Sequence, residues 1–155
     1  MRPTSDRVRE AIFSALGPID GARVLDLYCG TGALAIEAIS RGAANAVLVD
    51  RDIRPSLGNV EHLGLADRCR LVRAFIPEGI DPESLGGPFD LIFCDPPYRL
   101  ADRIDENLDK LVPTLLAPAG RVIVESAASR PLELPSLQRQ RDRRYGGTQV
   151  AFYKA

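Results

Sequence analysis

The stretch Arg23-Val24-Leu25-Asp26-Leu27-Tyr28-Cys29-Gly30-Thr31-Gly32 decides how the rest of the chain is read. Arg23 to Leu27 is a short, nearly all-apolar run of the kind buried on both faces of a parallel sheet. Glycines follow, and Ala33 to Ser40 then reads as a helix closed by Gly42. Gly30-x-Gly32-x-x-Ala35 fits the glycine fingerprint of nucleotide-binding folds and lies where that fingerprint must lie, between a strand and a helix. The glycines let the backbone turn tightly and approach a ligand, while the helix N-terminus favours an anionic group.

The same alternation continues outward. Upstream, Val8, Ala11, Ile12, Ala15 and Leu16 mark one buried stripe of a helix over Ser5 to Leu16, capped by Thr4 or Ser5 and stopped by Gly17-Pro18. Its wet side carries Asp6, Arg7, Glu10 and Ser14. Downstream, Ala46 to Val49 is a second strand ending in Asp50, Pro55 to Leu63 a helix ending at Gly64, and Cys69 to Arg73 a third strand. Residues 75 to 87 read as loop. Phe89 to Cys94 is a fourth strand, Ile104 to Leu115 carries another helical stripe, and Arg121 to Glu125 is a fifth strand. The tail shows no further helix and ends in two strands joined near Tyr145-Gly146-Gly147-Thr148, a hairpin. Strands alternating with helices imply an α/β, doubly wound and mostly parallel sheet, closed by one antiparallel strand. With 155 residues and no internal repeat or linker, the whole chain is expected to form one domain.

Composition excludes several classes. A hydrophobic fraction of 45% with 26% charged residues is that of a globular protein, and no run approaches a membrane span. Nothing at the N-terminus resembles a signal peptide, so a cytoplasmic protein without membrane partners is expected. Cys29, Cys69 and Cys94 are too far apart for a Cys-x-x-Cys metal pair, and their odd number opposes a disulfide framework. No metal is expected. The net charge of −1 hides an uneven distribution: 18 of the 20 basic residues are arginine, bunched at Arg2, Arg7 and Arg9 and again at Arg139, Arg141, Arg143 and Arg144.

The glycine loop suits both NAD and S-adenosylmethionine, and Asp26 separates them. An acid four residues before Gly30 suits a ligand whose near end carries an ammonium and a sulfonium, whereas a dinucleotide would place an anionic pyrophosphate beside it. Asp50, ending the second strand, is placed to accept hydrogen bonds from ribose hydroxyls. His62, the single histidine, falls on a helix between Glu61 and Leu63 and reads as solvated rather than as a proton donor for hydride chemistry.

Asp95-Pro96-Pro97-Tyr98 directly follows the fourth strand, at the carboxyl end where open α/β sheets bind ligands. With no N–H at Pro96 or Pro97, the loop offers acceptors: the Asp95 carboxylate and the Pro96 carbonyl. Two acceptors gripping the hydrogens of an exocyclic amine pull it towards a tetrahedral shape and free its lone pair, while Tyr98 stacks on the base. An in-line attack on a sulfonium methyl needs no covalent intermediate.

These residues resemble a family, the S-adenosylmethionine-dependent amino-methyltransferases of the seven-stranded, Rossmann-like fold, whose motif is Asp/Asn-Pro-Pro-Tyr/Phe. More closely the chain resembles the RsmD family, bacterial enzymes that methylate guanine N2 in 16S ribosomal RNA. The matching pieces are Arg2 to Glu10, Asp26 to Leu34, Glu37 to Ala43, Asp95 to Tyr98 and Arg144 to Thr148. The resemblance implies a donor site at Asp26, Gly30, Gly32 and Asp50, flanked by Tyr28, Thr31, Arg51 and Phe75, with S-adenosylhomocysteine as product. It implies a catalytic loop of Asp95, Pro96, Pro97 and Tyr98. It further implies an RNA face made of Arg2, Thr4, Arg7, Arg9, Arg144 and Tyr145, with ribosomal RNA or the small ribosomal subunit as partner of a monomer.

Two departures from the family pattern qualify these expectations. Members carry a further basic segment before Arg2, thought of as an RNA-contacting hairpin, and this sequence starts without it; RNA affinity would be affected before donor binding. An acid after the third strand would meet the adenine amine, but Arg73-Ala74-Phe75 offers none, which leaves Phe75 packing or a backbone group. The alternatives to ribosomal RNA are a DNA or protein-amide substrate, or a non-catalytic binding module with a relict donor pocket.

Overall fold

The computed structural model describes residues 5–97 and 104–155. Seven strands form one sheet in the spatial order β3-β2-β1-β4-β5-β7-β6. They are β1 (Arg23–Leu27), β2 (Asn45–Asp50), β3 (Cys69–Arg73), β4 (Phe89–Cys94), β5 (Leu116–Ala127), β6 (Gln138–Tyr145) and β7 (Thr148–Lys154). The first five run parallel, and β7 is antiparallel to both β5 and β6. The expected doubly wound sheet with a closing hairpin is therefore present.

Helix α1 (Asp6–Leu16) begins where Ser5 Oγ accepts from Val8 N at 3.2 Å and ends at Gly17, whose φ of 69° needs no β-carbon. Its buried stripe of Val8, Ile12, Phe13 and Leu16 packs on one sheet face together with α2 (Ala33–Ser40) and α3 (Arg54–His62). Phe13 meets Phe93 of β4 with ring centroids 5.7 Å apart, a tilted pair. On the other face lie α4 (Ile104–Leu115), the short 3-10 turn Pro82–Leu85, and a coil segment that contributes Leu132, Leu134 and Leu137. Layers on both faces explain why β1 and β4 read as continuous apolar runs.

The fifth strand is longer than Arg121 to Glu125. It starts at Leu116, directly after α4, and Phe89 pairs with Leu116 before the register shifts towards Leu91 and Arg121. Pro118 and Gly120, which look like turn residues in sequence, lie inside this irregular entry. All three cysteines are free and buried, and burial raises the Cys29 and Cys94 thiols so that they stay protonated. Among the described residues no helix is long and apolar enough to cross a membrane.

Candidate active site

Parallel strands present all their carboxyl ends at one edge, so the loops after β1, β2, β3 and β4 gather there. Leu27 pairs with Val49 on one side and with Cys94 on the other, and Asp50 pairs with Arg73. Those pairs set Tyr28 beside Asp50 in one direction and beside Asp95 in the other. The two stretches the sequence singled out are neighbours because β1 and β4 are neighbours.

The glycine loop is held from two sides by carboxylates at or near strand ends. Asp26 Oδ2 accepts from Ala35 N at 3.2 Å, satisfying an otherwise unpaired amide in the first turn of α2. Asp50 Oδ2 accepts from Gly30 N at 2.9 Å, and its Oδ1 from Asp52 N at 3.3 Å. Gly30 and Gly32 have φ of 56° and 83°, and a Cβ on Gly32 would lie 3.0 Å from the Leu48 side chain and 3.3 Å from that of Ser56. Glycine is thus required at 32 both by conformation and by space. Tyr28 also has a positive φ, 61°, a strained state for a residue with a side chain. Its hydroxyl donates to Ile76 O at 3.2 Å, tying the loop after β1 to the loop after β3. Asn59 of α3 donates to Thr31 O at 2.9 Å and fixes the turn from below.

Asp26 is 2% exposed. Burial pushes its carboxyl up to about 7, the bond from Ala35 N pulls the other way, and the charges of Asp50 and Glu125 add to the rise. At neutral pH this group sits near its midpoint, so a cation brought to the loop would draw it into the charged form. Glu125, buried near the end of β5, is a further acid at this edge of the sheet beyond Asp26 and Asp50. Its signal in the sequence is an acid ending the apolar run Val122 to Val124, as Asp26 and Asp50 end or interrupt theirs.

Past Asp50, Arg51 lies over the ring of Phe75 at 5.5 Å to its centroid, and Phe75 is 67% exposed. An exposed aromatic ring backed by a guanidinium at the rim of a ligand loop is a ready stacking surface. These features fit S-adenosylmethionine: an acid-held glycine turn, carboxylate oxygens with spare lone pairs on Asp50, and a stacking ring. Among the described residues no cluster of His, Cys, Asp and Glu side chains is arranged to hold a metal ion.

In the loop after β4, Asp95 is half-buried, Pro96 buried and Pro97 exposed. Pro96 and Pro97 also line a cleft of about 30 Å³, with Ile104 and Asp105 of α4 on one side and Ser126, Arg130 and Leu132 on the other. Tyr98 lies outside the described residues, as do Arg2 and Thr4. Of the other expected RNA-facing residues, Arg7 lies over the ring of Tyr145 at 5.9 Å, which joins α1 to the hairpin. Arg9 instead pairs with Asp6 at 2.8 Å and with Glu37 of α2 at 3.4 Å, so its charge is largely compensated within the protein.

Comparison with known proteins identifies the family and the fold. The family described as Conserved hypothetical protein 95 matches residues 1–154. This chain belongs to that family, the RsmD family. It is 36% identical to YlbH of Bacillus subtilis (strain 168) over 99% of this chain and 87% of that protein. It is 35% identical to Ribosomal RNA small subunit methyltransferase D of Escherichia coli (strain K12), over 85% of this chain and 67% of the relative. Among solved structures, a conserved hypothetical protein of Streptococcus pyogenes superposes with a TM-score of 0.79 at 35% identity, covering 94% of each chain. An RNA methyltransferase from Salinibacter ruber in complex with S-adenosyl-L-homocysteine shares the fold, with a TM-score of 0.75 at 18% identity over 98% of this chain and 92% of that one. The sheet is thus the seven-stranded Rossmann-like sheet found in methyltransferases.

Proposed function

We propose that this protein, as a single-domain monomer acting in the cytoplasm, transfers a methyl group from S-adenosylmethionine to the exocyclic N2 amine of a guanine in small-subunit ribosomal RNA. The observation that carries this reading is the pairing of Leu27 with Cys94, which sets the glycine loop beside Asp95-Pro96-Pro97 with only one strand-to-strand step between them. The names of relatives such as the E. coli small-subunit methyltransferase support ribosomal RNA as the substrate.

S-adenosylmethionine supplies an electrophilic methyl group on a cationic sulfur. Gly30 and Gly32 provide the close backbone approach, and Asp50, already oriented by Gly30 N and Asp52 N, keeps lone pairs for ribose hydroxyls. Phe75 and Arg51 take the place of the missing adenine-binding acid by offering a stacking face. Asp95 and the Pro96 carbonyl accept the two hydrogens of the amine, which concentrates electron density on nitrogen, and the two prolines keep competing donors out of the loop. Tyr98 is assigned to stacking on the guanine. The proton released from the amine passes to the Asp95 carboxylate or to solvent after transfer.

The test is methyl transfer from labelled donor to small-subunit particles, naked DNA and a protein amide in parallel, with the modified nucleotide mapped. Label on guanine N2 of the small-subunit RNA is expected. Asp95→Ala is expected to abolish transfer while leaving donor affinity within about twofold, since it touches the acceptor rather than the donor. Retained transfer by that variant would sink the mechanism, and label confined to DNA or protein would sink the substrate.

A further inference from the structure

The arginines of the C-terminal hairpin are not equivalent, although the sequence lists them in one run. Strand β6 is an edge strand that pairs only with β7 among the described residues, and all its residues up to Arg144 are exposed. Residues directly opposite one another in a sheet share a face. Arg141 pairs with Phe152 and Arg143 with Val150, both members of the cluster packed under α1, and Tyr145 packs against the same cluster. Arg144 pairs with Gln149, and Asp142 with Ala151, whose cluster lies under α4.

The pairing slips between Arg139 and Arg141, so that Gln140 is the extra residue of a bulge. The slip moves Arg139 to the α4 face, where it pairs with Asp142 at 3.5 Å. The bulge therefore sorts one cluster into two sets. On the α4 face a cation is paired with an anion, and on the α1 face Arg141 and Arg143 stand two residues apart with Tyr145 next in line. Arg141 lies over Phe152 at 5.8 Å and Arg7 over Tyr145 at 5.9 Å, so the stripe continues onto α1. Among the described residues Arg7, Arg141 and Arg143 take part in no ion pair with a carboxylate.

The stripe also points at the active site. Ala127 pairs with Thr148, and Ala128 N donates to Gly147 O at 2.8 Å, so the Gly146-Gly147 tip sits at the carboxyl edge of the sheet. Tyr145 is at that end of β6, and Arg141 is further away along the strand. Successive same-face positions on a strand are roughly 7 Å apart, close to the spacing of successive phosphates in an extended strand of RNA.

We propose that Arg141, Arg143, Tyr145 and Arg7 form a track for the sugar–phosphate backbone of the RNA flanking the target nucleotide, with Arg139 and Arg144 outside it. The inference rests on the RNA-methyltransferase reading and adds which face of the hairpin carries the nucleic acid. The ladder of cations fixes position along the strand without reading sequence, and Tyr145 offers a ring to an unstacked base.

The experiment compares Arg141→Gln/Arg143→Gln with Lys110→Gln/Arg139→Gln, which removes the same charge from the α4 side, and Arg143→Gln with its sequence neighbour Arg144→Gln. Binding to protein-free small-subunit RNA is measured from low to high salt, and transfer is resolved into kcat and KM for RNA. The track predicts that the first double variant lowers the slope of log K against log salt by about two, one for each lost phosphate contact, and raises KM with little change in kcat or donor affinity. The α4-side double keeps the wild-type slope, and Arg144→Gln changes it less than Arg143→Gln. Equal slopes for the two doubles, or for the two single variants, would overturn the face assignment while leaving the enzyme reading intact. Unchanged binding to free RNA with weaker binding to the assembled particle would assign the stripe to an acidic protein surface instead. Failure of the wild-type protein to bind RNA at all would overturn the function itself.

Discussion

Replacing Asp26 by asparagine should strengthen the fold at high pH and weaken the donor site. The buried carboxyl is raised from an ordinary 3.8 to about 7, chiefly by desolvation. A group whose folded-state pKa lies above its unfolded value contributes stability that is fully present below the unfolded pKa and is lost as pH rises through the folded one. Stability should therefore decline between about pH 4 and pH 7 on account of this residue. A shift of about three units corresponds to about 4 kcal/mol across the whole window, and the two units between pH 5 and 7 to about 3 kcal/mol. Asparagine keeps an oxygen to accept from Ala35 N, the bond seen at 3.2 Å, but carries no charge to desolvate.

Urea unfolding of wild type and Asp26→Asn from pH 5 to pH 8 measures this directly. The expectation is that the gap widens in favour of the variant by roughly 2–4 kcal/mol as pH rises. Donor binding should show the opposite sign. A sulfonium near the loop stabilises the charged form of Asp26, so wild-type affinity should rise with pH through about 7 with release of up to one proton, and the variant should lose both effects. Calorimetry in buffers of different ionisation enthalpy counts that proton. Parallel stability curves, or donor affinity in wild type that ignores pH, would refute the account of Asp26 as a buried, half-titrated acid under the donor loop.

Phe75→Ala should weaken donor binding by roughly threefold to tenfold, the value of one stacking contact, and should leave thermal stability unchanged because the ring is 67% exposed; unaltered affinity in a titration would remove Phe75 from the adenine site. Gly32→Ala should cost about 1–3 kcal/mol by urea titration, because φ of 83° is unfavourable for alanine and its methyl would lie 3.0 Å from the Leu48 side chain. Donor affinity should fall with it, and a stable variant with full affinity would show that the turn does not need glycine.

The order of elements and the edge at which the two candidate loops meet were legible in the sequence because a doubly wound parallel sheet writes itself plainly. Each buried strand is an apolar run, each helix has a stripe, and each ligand loop sits immediately after a strand. What the sequence hid are relations between elements. Asp26 reads as a ligand for a cation, and only the folding of α2 back over β1 shows its carboxylate bonded to Ala35 N. The entry to β5 is hidden by Pro118 and Gly120, which signal a turn locally and are tolerated where the register slips against β4. The division of the hairpin arginines is invisible because a bulge at Gln140 depends on pairing with β7. The family resemblance groups Arg9 with the RNA-facing residues, and its pairing with Glu37 is hidden because it depends on α1 and α2 lying side by side.

The two acids that bracket the glycine loop are expected to do different work, because they differ in burial and in the amides they hold. Both end or nearly end a central strand and both accept from a loop or helix amide, Asp26 from Ala35 and Asp50 from Gly30. Asp26 is more deeply buried, at 2% exposed against 9% for Asp50, and its ionisation is opposed by that burial. A carboxylate that is costly to charge is a poor permanent anchor for hydroxyl groups but a sensitive counter-ion, since a nearby cation changes its protonation instead of merely adding a contact. Asp50, held by two amides, keeps lone pairs free to accept from neutral hydroxyls. On this division Asp50→Asn should weaken donor binding by removing an acceptor for the ribose hydroxyls, whereas Asp26→Asn should weaken it mainly above pH 7, which calorimetric titration of the two variants checks.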